Sequence, residues 1–269
     1  MNTTHLYDYG FGTTWKTVHV DRREGYSTSV TDFHDHPFYE INLILSGNVK
    51  ILLKDRFEEG GGQRLVLTSP GTPHYVSCKS DTLYRRIYLA FTEEFVASFL
   101  PEWQDLSDVF GKNGTVIGID QEEAETFRLL IEQIEGETSV LGQRLLIYYL
   151  LLRLRKHESN VPKKKEKPSY IFDALLYLEN HYFERIDLSD LAKRLCVGRT
   201  KMMTEFKLYV GSTMGEYLCR CRLKNAIRHL EGGETVEAAS EACGFADGSS
   251  LIRAFKRVYG IPPHRYLKK

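Results

Sequence analysis

The spacing of apolar side chains changes once along the chain, from a strand pattern to a helix pattern. Up to about Phe91, short β-branched or aromatic runs are separated by turns rich in Gly, Pro and Asp. Regular short strands of this kind are typical of an antiparallel sandwich or barrel. The predicted strands include NVKILLK, RLVLTS, HYVSC and LYRRIYLAF, and the predicted turns between them include EEGGGQ and SPGTPH.

After about Asp120 the apolar residues recur at three- and four-residue steps, which predicts helices. The first is marked by Phe127, Leu130, Ile131 and Ile134. A second, from roughly Ser139 to Lys156, is apolar on more than one side, although packing on one neighbour needs a narrower stripe. We therefore expect this helix to cover the barrel and also to meet its counterpart in a homodimer. Its apolar residues are Leu141, Leu145, Leu146, Tyr148, Tyr149, Leu152 and Leu154.

The last hundred residues contain an internal repeat. Five residues recur at an offset of 49: Phe206, Lys207, Gly211, Tyr217 and Leu218 return as Phe255, Lys256, Gly260, Tyr266 and Leu267. Upstream, LAKRLC aligns with AASEAC at an offset of 47. Each copy therefore predicts a helix, a short turn with glycine and a second helix, which is a helix-turn-helix unit.

The second helix of each copy has an apolar edge at i, i+4 spacing. Met202 and Phe206 form this edge in the first copy, and Leu251 and Phe255 form it in the second. The opposite edge is then free for polar contacts, which is the layout that a DNA-recognition helix needs.

The formal net charge of zero hides an uneven distribution. From Ser169 to the end, 16 Lys and Arg stand against 12 Asp and Glu, and the four lysines and one glutamate of VPKKKEKP raise the excess to +7 from Val161 onward. The first 160 residues therefore carry −7, and such an asymmetry is typical of a sensor joined to a nucleic-acid binder. VPKKKEKP has no apolar face and is typical of a linker. We expect domains at 1–160 and 169–269, joined by a linker at 161–168.

Other features of the sequence argue against a membrane or secreted protein. The start, MNTTHLYDYG, has neither a basic region nor an apolar core, so no signal peptide is expected. The longest apolar run, LLIYYLLL, is too short to span a bilayer. Five scattered cysteines without a secretory signal predict reduced thiols in the cytoplasm.

The repeat carries a family signature. It is formed by Ala242, Gly244, Phe245, Ser249, Leu251, Arg253, Phe255, Lys256, Gly260, Ile261, Pro263 and Tyr266. In these residues the last hundred positions resemble the DNA-binding domain of the AraC/XylS family of regulators. The resemblance implies two helix-turn-helix units, joined by a long helix from about Met214 to Leu230, whose recognition helices enter successive major grooves. Gly198 stands where that family usually has a serine N-cap, a change that costs only a few tenths of a kcal/mol.

The predicted DNA contacts follow from the exposed start and edge of each recognition helix. In the first unit they are Arg199, Thr200, Lys201 and Thr204, and in the second they are Ser249, Ser250 and Arg253. Arg253 is the candidate for a bidentate contact to guanine. Lys207, Lys256 and Arg257 lie further along and are expected to touch phosphates, which position the protein without specifying sequence. Asp247 is predicted to cap the second recognition helix.

The stretch FHDHPFYEINLILSG raises a separate question about chemistry. It places His34, His36 and Glu40 at H-x-H-x-x-x-E spacing, and imidazole and carboxylate groups so spaced can hold a transition metal. With Gly47 this stretch resembles the first cupin motif, and PGTPH resembles the second, with His74 as a third imidazole. The resemblance implies a small antiparallel barrel in which these four positions hold Fe, Mn or Zn in metal-dependent members.

In regulators with a cupin-like front domain, the resemblance equally implies a pocket without metal. The second motif is incomplete here, since Ser69 replaces its first proline and Cys78 its final asparagine, so we expect a metal-free pocket and no cofactor. Three imidazoles and a carboxylate offer hydrogen bonds in several directions, and aromatic faces would cover a sugar ring. The predicted ligand-binding residues are His34, His36, Phe38, Tyr39, Glu40 and His74.

Together these patterns predict an α+β multidomain regulator of transcription rather than an enzyme. An antiparallel cupin-like barrel with trailing helices would bind a small-molecule effector, a carbohydrate or similar polar metabolite. An all-α domain with two helix-turn-helix units would bind a double-stranded DNA operator. Two alternatives remain open: a metal-dependent cupin enzyme with a DNA-binding tail, and a constitutive DNA-binding protein whose barrel only dimerises.

Overall fold

The computed structural model of the protein describes residues 17–26, 33–54, 56–78, 81–97, 107–157 and 169–267. Contacts between residues divide the chain into two compact units, Met1–Lys167 and Pro168–Lys269. The linker predicted at 161–168 lies outside the described residues. The predicted domain limits therefore stay a prediction, and each unit is described by itself.

The first unit begins with strands that pair only antiparallel to one another within the described residues. They are β1 (Val18–Gly25), β2 (Tyr39–Ser46), β3 (Val49–Leu53), β4 (Arg56–Gly60), β5 (Arg64–Thr68), β6 (Tyr75–Cys78), β7 (Tyr84–Phe91) and β8 (Thr115–Gly118). A five-stranded sheet has the order β1-β7-β2-β5-β8, and a three-stranded sheet has the order β4-β3-β6. The predicted antiparallel front domain is confirmed.

One predicted turn is partly wrong. EEGGGQ begins at Glu58, yet β4 continues through Glu59 to Gly60 and pairs with β3 along its whole length. Glutamate is a poor strand former on intrinsic grounds, but pairing and burial decide such positions. Both glutamates are half-buried in this strand, so tertiary contacts override the local preference.

Side chains on the two faces of β2 belong to two separate hydrophobic clusters. Tyr39, Ile41 and Leu43 face the cluster that the sheet shares with the helices of this unit. Ile44 faces a second cluster that contains Ile51 of the small sheet. Because successive side chains of a strand point to opposite faces, Glu40 and Asn42 share a face with Ile44 and turn toward the interior between the sheets.

The helices of the first unit pack on the outer face of the larger sheet. They are α1 (Glu93–Ala97), a 3-10 turn (Asp108–Phe110), α2 (Gln121–Gly136) and α3 (Val140–Arg155). The N-terminus of α2 is fixed by a capping box, in which Asp120 accepts from the Glu123 amide at 2.9 Å. Phe127, Leu130, Ile131 and Ile134 are buried as predicted, and Ser139 caps the second predicted helix.

The second unit is helical throughout its described residues, which confirms the predicted all-α back domain. Its elements are α4 (Ser169–Asn180), α5 (Leu188–Arg194), α6 (Arg199–Val210), α7 (Met214–Glu231), α8 (Val236–Ala242), α9 (Gly248–Tyr259) and α10 (Pro263–Tyr266). The pairs α5–α6 and α8–α9 are the two helix-turn-helix units, and α7 joins them. Among the described residues of the whole chain, no helix is long and apolar enough to cross a bilayer.

The structure corrects the offset between the first helices of the two units. The N-caps of α5 and α8 are Asp187 and Thr235, an offset of 48 rather than 47. The residue with left-handed backbone conformation that follows each of these helices is Cys196, at φ 51°, in the first unit and Gly244, at φ 72°, in the second. These two residues are also 48 positions apart. The matching cysteines misled the sequence alignment, because Cys196 is the structural counterpart of a glycine. The turns therefore differ in length by one residue, not two.

Candidate DNA-binding surface and ligand site

Each recognition helix has one buried edge and one exposed edge. In α6, Met202, Phe206 and Val210 are buried, and in α9, Leu251 and Phe255 are buried. The DNA contacts predicted from the sequence are exposed, apart from the half-buried Ser250; they are Arg199, Thr200, Lys201, Thr204, Lys207, Ser249, Arg253, Lys256 and Arg257. The structure thus brings these side chains to the solvent side of the two helices.

The start of α9 is organised around Asp247. Its carboxylate accepts a hydrogen bond from the Ser250 amide at 2.6 Å, which confirms the predicted cap. That hydrogen bond lowers the pKa of Asp247, so the cap stays charged. Arg253 donates from its guanidinium to Ser250 Oγ at 2.9 Å, one helical turn further on. The candidate base-reading arginine is therefore held beside the start of the helix before any DNA is present.

A groove between α7 and α9 adds basic groups next to this edge. Arg222, Arg253 and Arg257 line it together with Cys219. Arg257 donates to Cys219 Sγ at 3.4 Å, and Arg222 donates to the Tyr182 carbonyl at 2.7 Å. The Arg222 guanidinium is therefore hydrogen-bonded within the domain. Arg253 and Arg257 are exposed at the rim of the groove.

Two loops and the start of β2 bring together the four residues of the first unit that were predicted to form a ligand or metal site. The backbone of His34 pairs with that of His74 in both directions, at 3.1 and 2.9 Å. Glu40 lies at the start of β2, directly opposite Thr68 at the end of β5. One ligand atom from each of His34, His36, Glu40 and His74 lies within 4.8 Å of all the others. The convergence expected from the two cupin-like motifs is therefore present.

The cluster is buried and closely hydrogen-bonded. His36, Glu40 and His74 are each at most 3% exposed, and His34 is half-buried. Glu40 Oε2 lies 2.8 Å from His36 Nε2 and 3.7 Å from His74 Nε2. The opposite ring nitrogens are turned to backbone carbonyls, His36 Nδ1 to Phe38 O and His74 Nδ1 to Thr72 O, both at 2.9 Å.

Burial and charge act against each other in this cluster. Burial raises the pKa of Glu40. The hydrogen bond with His36 and the charges of the neighbouring imidazoles lower this pKa by more than burial raises it, so it lies below its usual range. Burial lowers the pKa of His74 more than the Glu40 carboxylate raises it. The cluster therefore pairs a carboxylate with a neutral imidazole at His74.

The two predicted aromatic residues lie on different faces. Phe38 stacks on His36 with ring centroids 4.0 Å apart and planes 2° from parallel. Tyr39 instead packs in the helix-side core, 4.8 Å from Phe110 between centroids. Phe38 thus belongs to the cluster and Tyr39 does not, because adjacent residues of an extended chain point to opposite faces.

Two polar residues beside the cluster, Asn42 and Thr68, were not predicted from the sequence. Asn42 donates from Nδ2 to Glu40 Oε1 at 3.1 Å and so fixes the carboxylate. Asn42 Oδ1 and Thr68 Oγ1 are buried and have no hydrogen-bond partner among the described residues. The signal was available in β2, where glutamate and asparagine alternate with apolar residues on an otherwise buried strand. Two such residues on one face predict an inward polar site.

A row of apolar side chains remains exposed on α3. Leu141, Leu145, Tyr149 and Leu152 recur at four-, four- and three-residue steps and are 37–52% exposed. The opposite side of α3 is buried in the core of its own unit through Ile147, Leu150, Leu151 and Leu154. Leu146 and Tyr148, which belong to the same predicted apolar set, pack partly buried against that core. The apolar excess predicted from the sequence is therefore a surface stripe.

The fold and these surfaces define a class: a transcription regulator with a ligand-binding domain and a helix-turn-helix DNA-binding domain. Residues 19–154 match the model of the AraC-like ligand binding domain, and residues 191–269 match a helix-turn-helix domain. The chain belongs to the AraC family of transcriptional regulators.

Several known proteins are similar to this chain. The uncharacterized HTH-type transcriptional regulator YisR of Bacillus subtilis is 28% identical over 248 residues, or 86% of this chain and 85% of YisR. The raffinose operon transcriptional regulatory protein RafR of Pediococcus pentosaceus is 27% identical over 123 residues, or 45% of this chain and 44% of RafR. Among solved structures, ToxT from Vibrio cholerae aligns with 94% of this chain and 98% of its own, at 14% identity and a TM-score of 0.41.

Proposed function

We propose that this regulator is a one-component sensor in which residues 1–160 bind an effector and dimerise, 161–168 form a linker, and 169–269 bind DNA. The observation that carries the proposal is the shared layout of α6 and α9, each buried along one edge and basic along the other. A recognition helix needs this layout to lie in a major groove. Five free cysteines fit a cytoplasmic protein, where thiols stay reduced.

The DNA-binding roles divide by position. Arg199, Thr200, Lys201, Thr204, Ser249, Ser250 and Arg253 lie at the start and edge of the recognition helices and would face base edges. Lys207, Lys256 and Arg257 lie further along and would face phosphates. The operator would span two successive major grooves about 34 Å apart, on one face of the duplex.

We assign effector binding to the cluster of His34, His36, Glu40 and His74, with Phe38 against it and without catalytic activity. Buried groups that can donate and accept in several directions favour a polar ligand, and the Phe38 ring would cover an apolar face. A carbohydrate or similar polar metabolite combines both properties. The name of RafR, which ties that relative to a raffinose operon, agrees with this class of effector.

The effector proposal predicts a ligand-dependent rise in Tm. At a hundred times its Kd, a ligand that binds only the folded state adds about 2.7 kcal/mol, or roughly 5–10 °C for a domain of this size. Sugars, polyols and small acids would be screened against the full chain by thermal shift. The same rise should appear in the front fragment released by limited proteolysis within 161–168, and a hit should change affinity for DNA.

Two results would contradict the effector proposal. A panel without any shift in Tm or in DNA affinity would favour the constitutive DNA binder. First cleavage inside either unit, with the lysines of 161–168 protected, would argue against the proposed domain limits.

We further propose that the exposed stripe on α3 forms a homodimer. Tyr149→Glu combined with Leu152→Glu should convert the dimer to a monomer, because charges would replace apolar groups in the contact. Sedimentation of the full chain without DNA measures the mass. Val258→Glu is a matched control, since Val258 and Leu152 are both 37% exposed but Val258 lies in the other unit. A folded double variant of unchanged mass would exclude the stripe as the contact.

A further inference from the structure

The groove between α7 and α9 gathers positive charge around a recess of ligand size. It encloses about 450 Å³, which is within the range of small-molecule sites. We propose that this groove binds a small organic phosphate, whose phosphate group contacts Arg222, Arg253 and Arg257 and whose apolar part lies against Leu218 and Phe245. The site goes beyond the proposed function, because the effector was assigned to the other unit.

The recess follows from the residues that the two helices turn toward each other. Cys219 and Arg222 share one face of α7, and Ala254 and Arg257, at the same spacing, share one face of α9. Cys219 and Ala254 have small side chains, so they leave space between the helices. Nothing lies within 4 Å of a Cβ atom added at Gly215, which lines the groove one turn before Cys219. The space therefore continues along α7.

Arg222 is held in place by backbone carbonyls. Its Nε donates to the Tyr182 carbonyl at 2.7 Å, and its Nη2 donates to the Glu184 carbonyl at 2.8 Å. Burial lowers the pKa of Arg222, which means that its surroundings disfavour the charge. Nη1 has no hydrogen-bond partner among the described residues of this unit. The guanidinium is therefore already oriented and can donate from Nη1 to an anion in the groove that it lines.

The positive charge of the groove is not balanced by its own lining. Among the described residues that line it, none is an aspartate or a glutamate. Arg253 and Arg257 donate to neutral groups, Ser250 Oγ and Cys219 Sγ. Asp247 does interact electrostatically with Arg253, but its carboxylate is engaged as the cap of α9. Three guanidiniums in one groove repel one another, and a bound dianion would relieve this repulsion.

The guanidinium groups define the class of anion. Each is planar and presents paired donors that match the oxygens of a phosphate. A phosphate monoester has three terminal oxygens and about two negative charges, so it can accept from all three arginines. A carboxylate has two oxygens and one charge. The set of donors therefore favours a phosphate over a carboxylate.

The apolar wall favours a free small molecule over a phosphate of the DNA backbone. A backbone phosphate lies on the surface of the duplex and needs neither a recess nor an apolar wall. Leu218 and Phe245 line this groove and are half-buried, so they give it such a wall. A ring or short carbon chain attached to the phosphate would lie against these two side chains.

An occupied groove would act against DNA binding. Arg253 and Arg257 line the groove and also belong to the proposed DNA-binding surface. A phosphate that engages both guanidiniums removes them from contact with the duplex. The ligand would therefore be an inhibitor of DNA binding that acts inside the DNA-binding unit itself.

The probe for this site is phenyl phosphate, which joins a dianion to an apolar ring. The full chain without DNA would be titrated by calorimetry at constant ionic strength. We expect one phenyl phosphate per chain, bound about tenfold more tightly than inorganic phosphate because its ring is partly buried. Benzoate should bind more weakly than phenyl phosphate, and uncharged benzyl alcohol should give no detectable binding.

Two variants test the arginines. Arg253→Gln and Arg257→Gln should each weaken binding of phenyl phosphate by about tenfold, because each removes a charged hydrogen bond. Both side chains are exposed, so both variants should stay folded. Lys256→Gln is the matched control, since it removes the same charge from a neighbouring exposed position that does not line the groove. This control should bind phenyl phosphate like the parent.

Cys219 reports whether the probe lies in the groove. Labelling with iodoacetamide would be followed for each cysteine by mass spectrometry of peptides. Phenyl phosphate should slow the labelling of Cys219, which lines the groove. Labelling of Cys196, an exposed cysteine of the same unit, should not change and serves as the internal reference.

Several results would overturn the phosphate site. They are binding of phenyl phosphate no tighter than that of inorganic phosphate, tighter binding of benzoate, and an equal loss of affinity in Lys256→Gln and Arg257→Gln. Labelling of Cys219 equally fast with and without phenyl phosphate would place the probe elsewhere. Protection of Cys219 by random duplex DNA but not by phenyl phosphate would assign the groove to the DNA backbone instead.

Discussion

Replacing Gly244 with alanine should lower the free energy of unfolding of the DNA-binding unit by about 2–5 kcal/mol. Gly244 has φ +72°, and a left-handed conformation costs a non-glycine residue roughly 1–2 kcal/mol. A Cβ atom would also lie 2.5 Å from the carbonyl oxygen of Phe183 and 2.8 Å from its carbon. Both are backbone atoms, so relieving the clash moves the chain between α4 and α5, at a typical overpacking cost of about 1–3 kcal/mol.

The matched control is Gly211→Ala. Gly211 is also left-handed, at φ +83°, but nothing lies within 4 Å of a Cβ added there. Only the conformational cost should appear, so this variant should lose about 1–2 kcal/mol. Urea unfolding of both variants measures the difference. Equal losses of unfolding free energy in the two variants would show that the close contact with Phe183 does not destabilise alanine at position 244.

Arg253→Ala should weaken binding to the specific operator by about 1–3 kcal/mol, or roughly 5- to 150-fold, with little effect on random DNA. Arg253 is exposed at the edge of α9 and is held by Ser250 one turn from the helix start. A guanidinium there can reach two acceptors of a guanine, and losing a base contact costs affinity only where that base is present.

Lys256→Ala is the contrasting variant. Lys256 is exposed one turn closer to the C-terminal end of α9, and a phosphate contact there carries no sequence information. Its loss should weaken specific and random binding alike and should reduce the slope of log K against log salt by about 0.9. Fluorescence anisotropy at several salt concentrations measures both quantities. Equal weakening of both DNAs by Arg253→Ala would show that Arg253 is not a base reader.

Local patterns in the sequence were sufficient for much of this architecture. The repeat, the buried edge of each recognition helix and the Asp247 cap depend on residues a few positions apart, so spacing alone reveals them. The same is true of α2, whose apolar residues recur at helical steps over 16 residues. The two histidine motifs lie further apart, but each is compact enough to recognise.

Features that depend on pairing between distant segments were not predictable. β4 takes its form from β3, so the two glutamates looked like part of a turn. Tyr39 and Phe38 are neighbours in sequence, and only the register of β2 shows which of them faces the histidines. The His36 and His74 rings also contact backbone carbonyls, and no side-chain motif encodes those contacts.

The turns of the two helix-turn-helix units differ in the residue that takes the left-handed conformation and in the cap of the helix that follows. In the second, Gly244 takes the left-handed position and Asp247 caps the next helix, whereas in the first, Cys196 is left-handed and Gly198 has no side chain for capping. Strain at Cys196 costs roughly 1–2 kcal/mol, and proteins open first where local stability is lowest. Transient opening should therefore begin in the first unit while the second remains folded. The operator would then be bound by one preformed recognition helix and by another that the duplex itself helps to order.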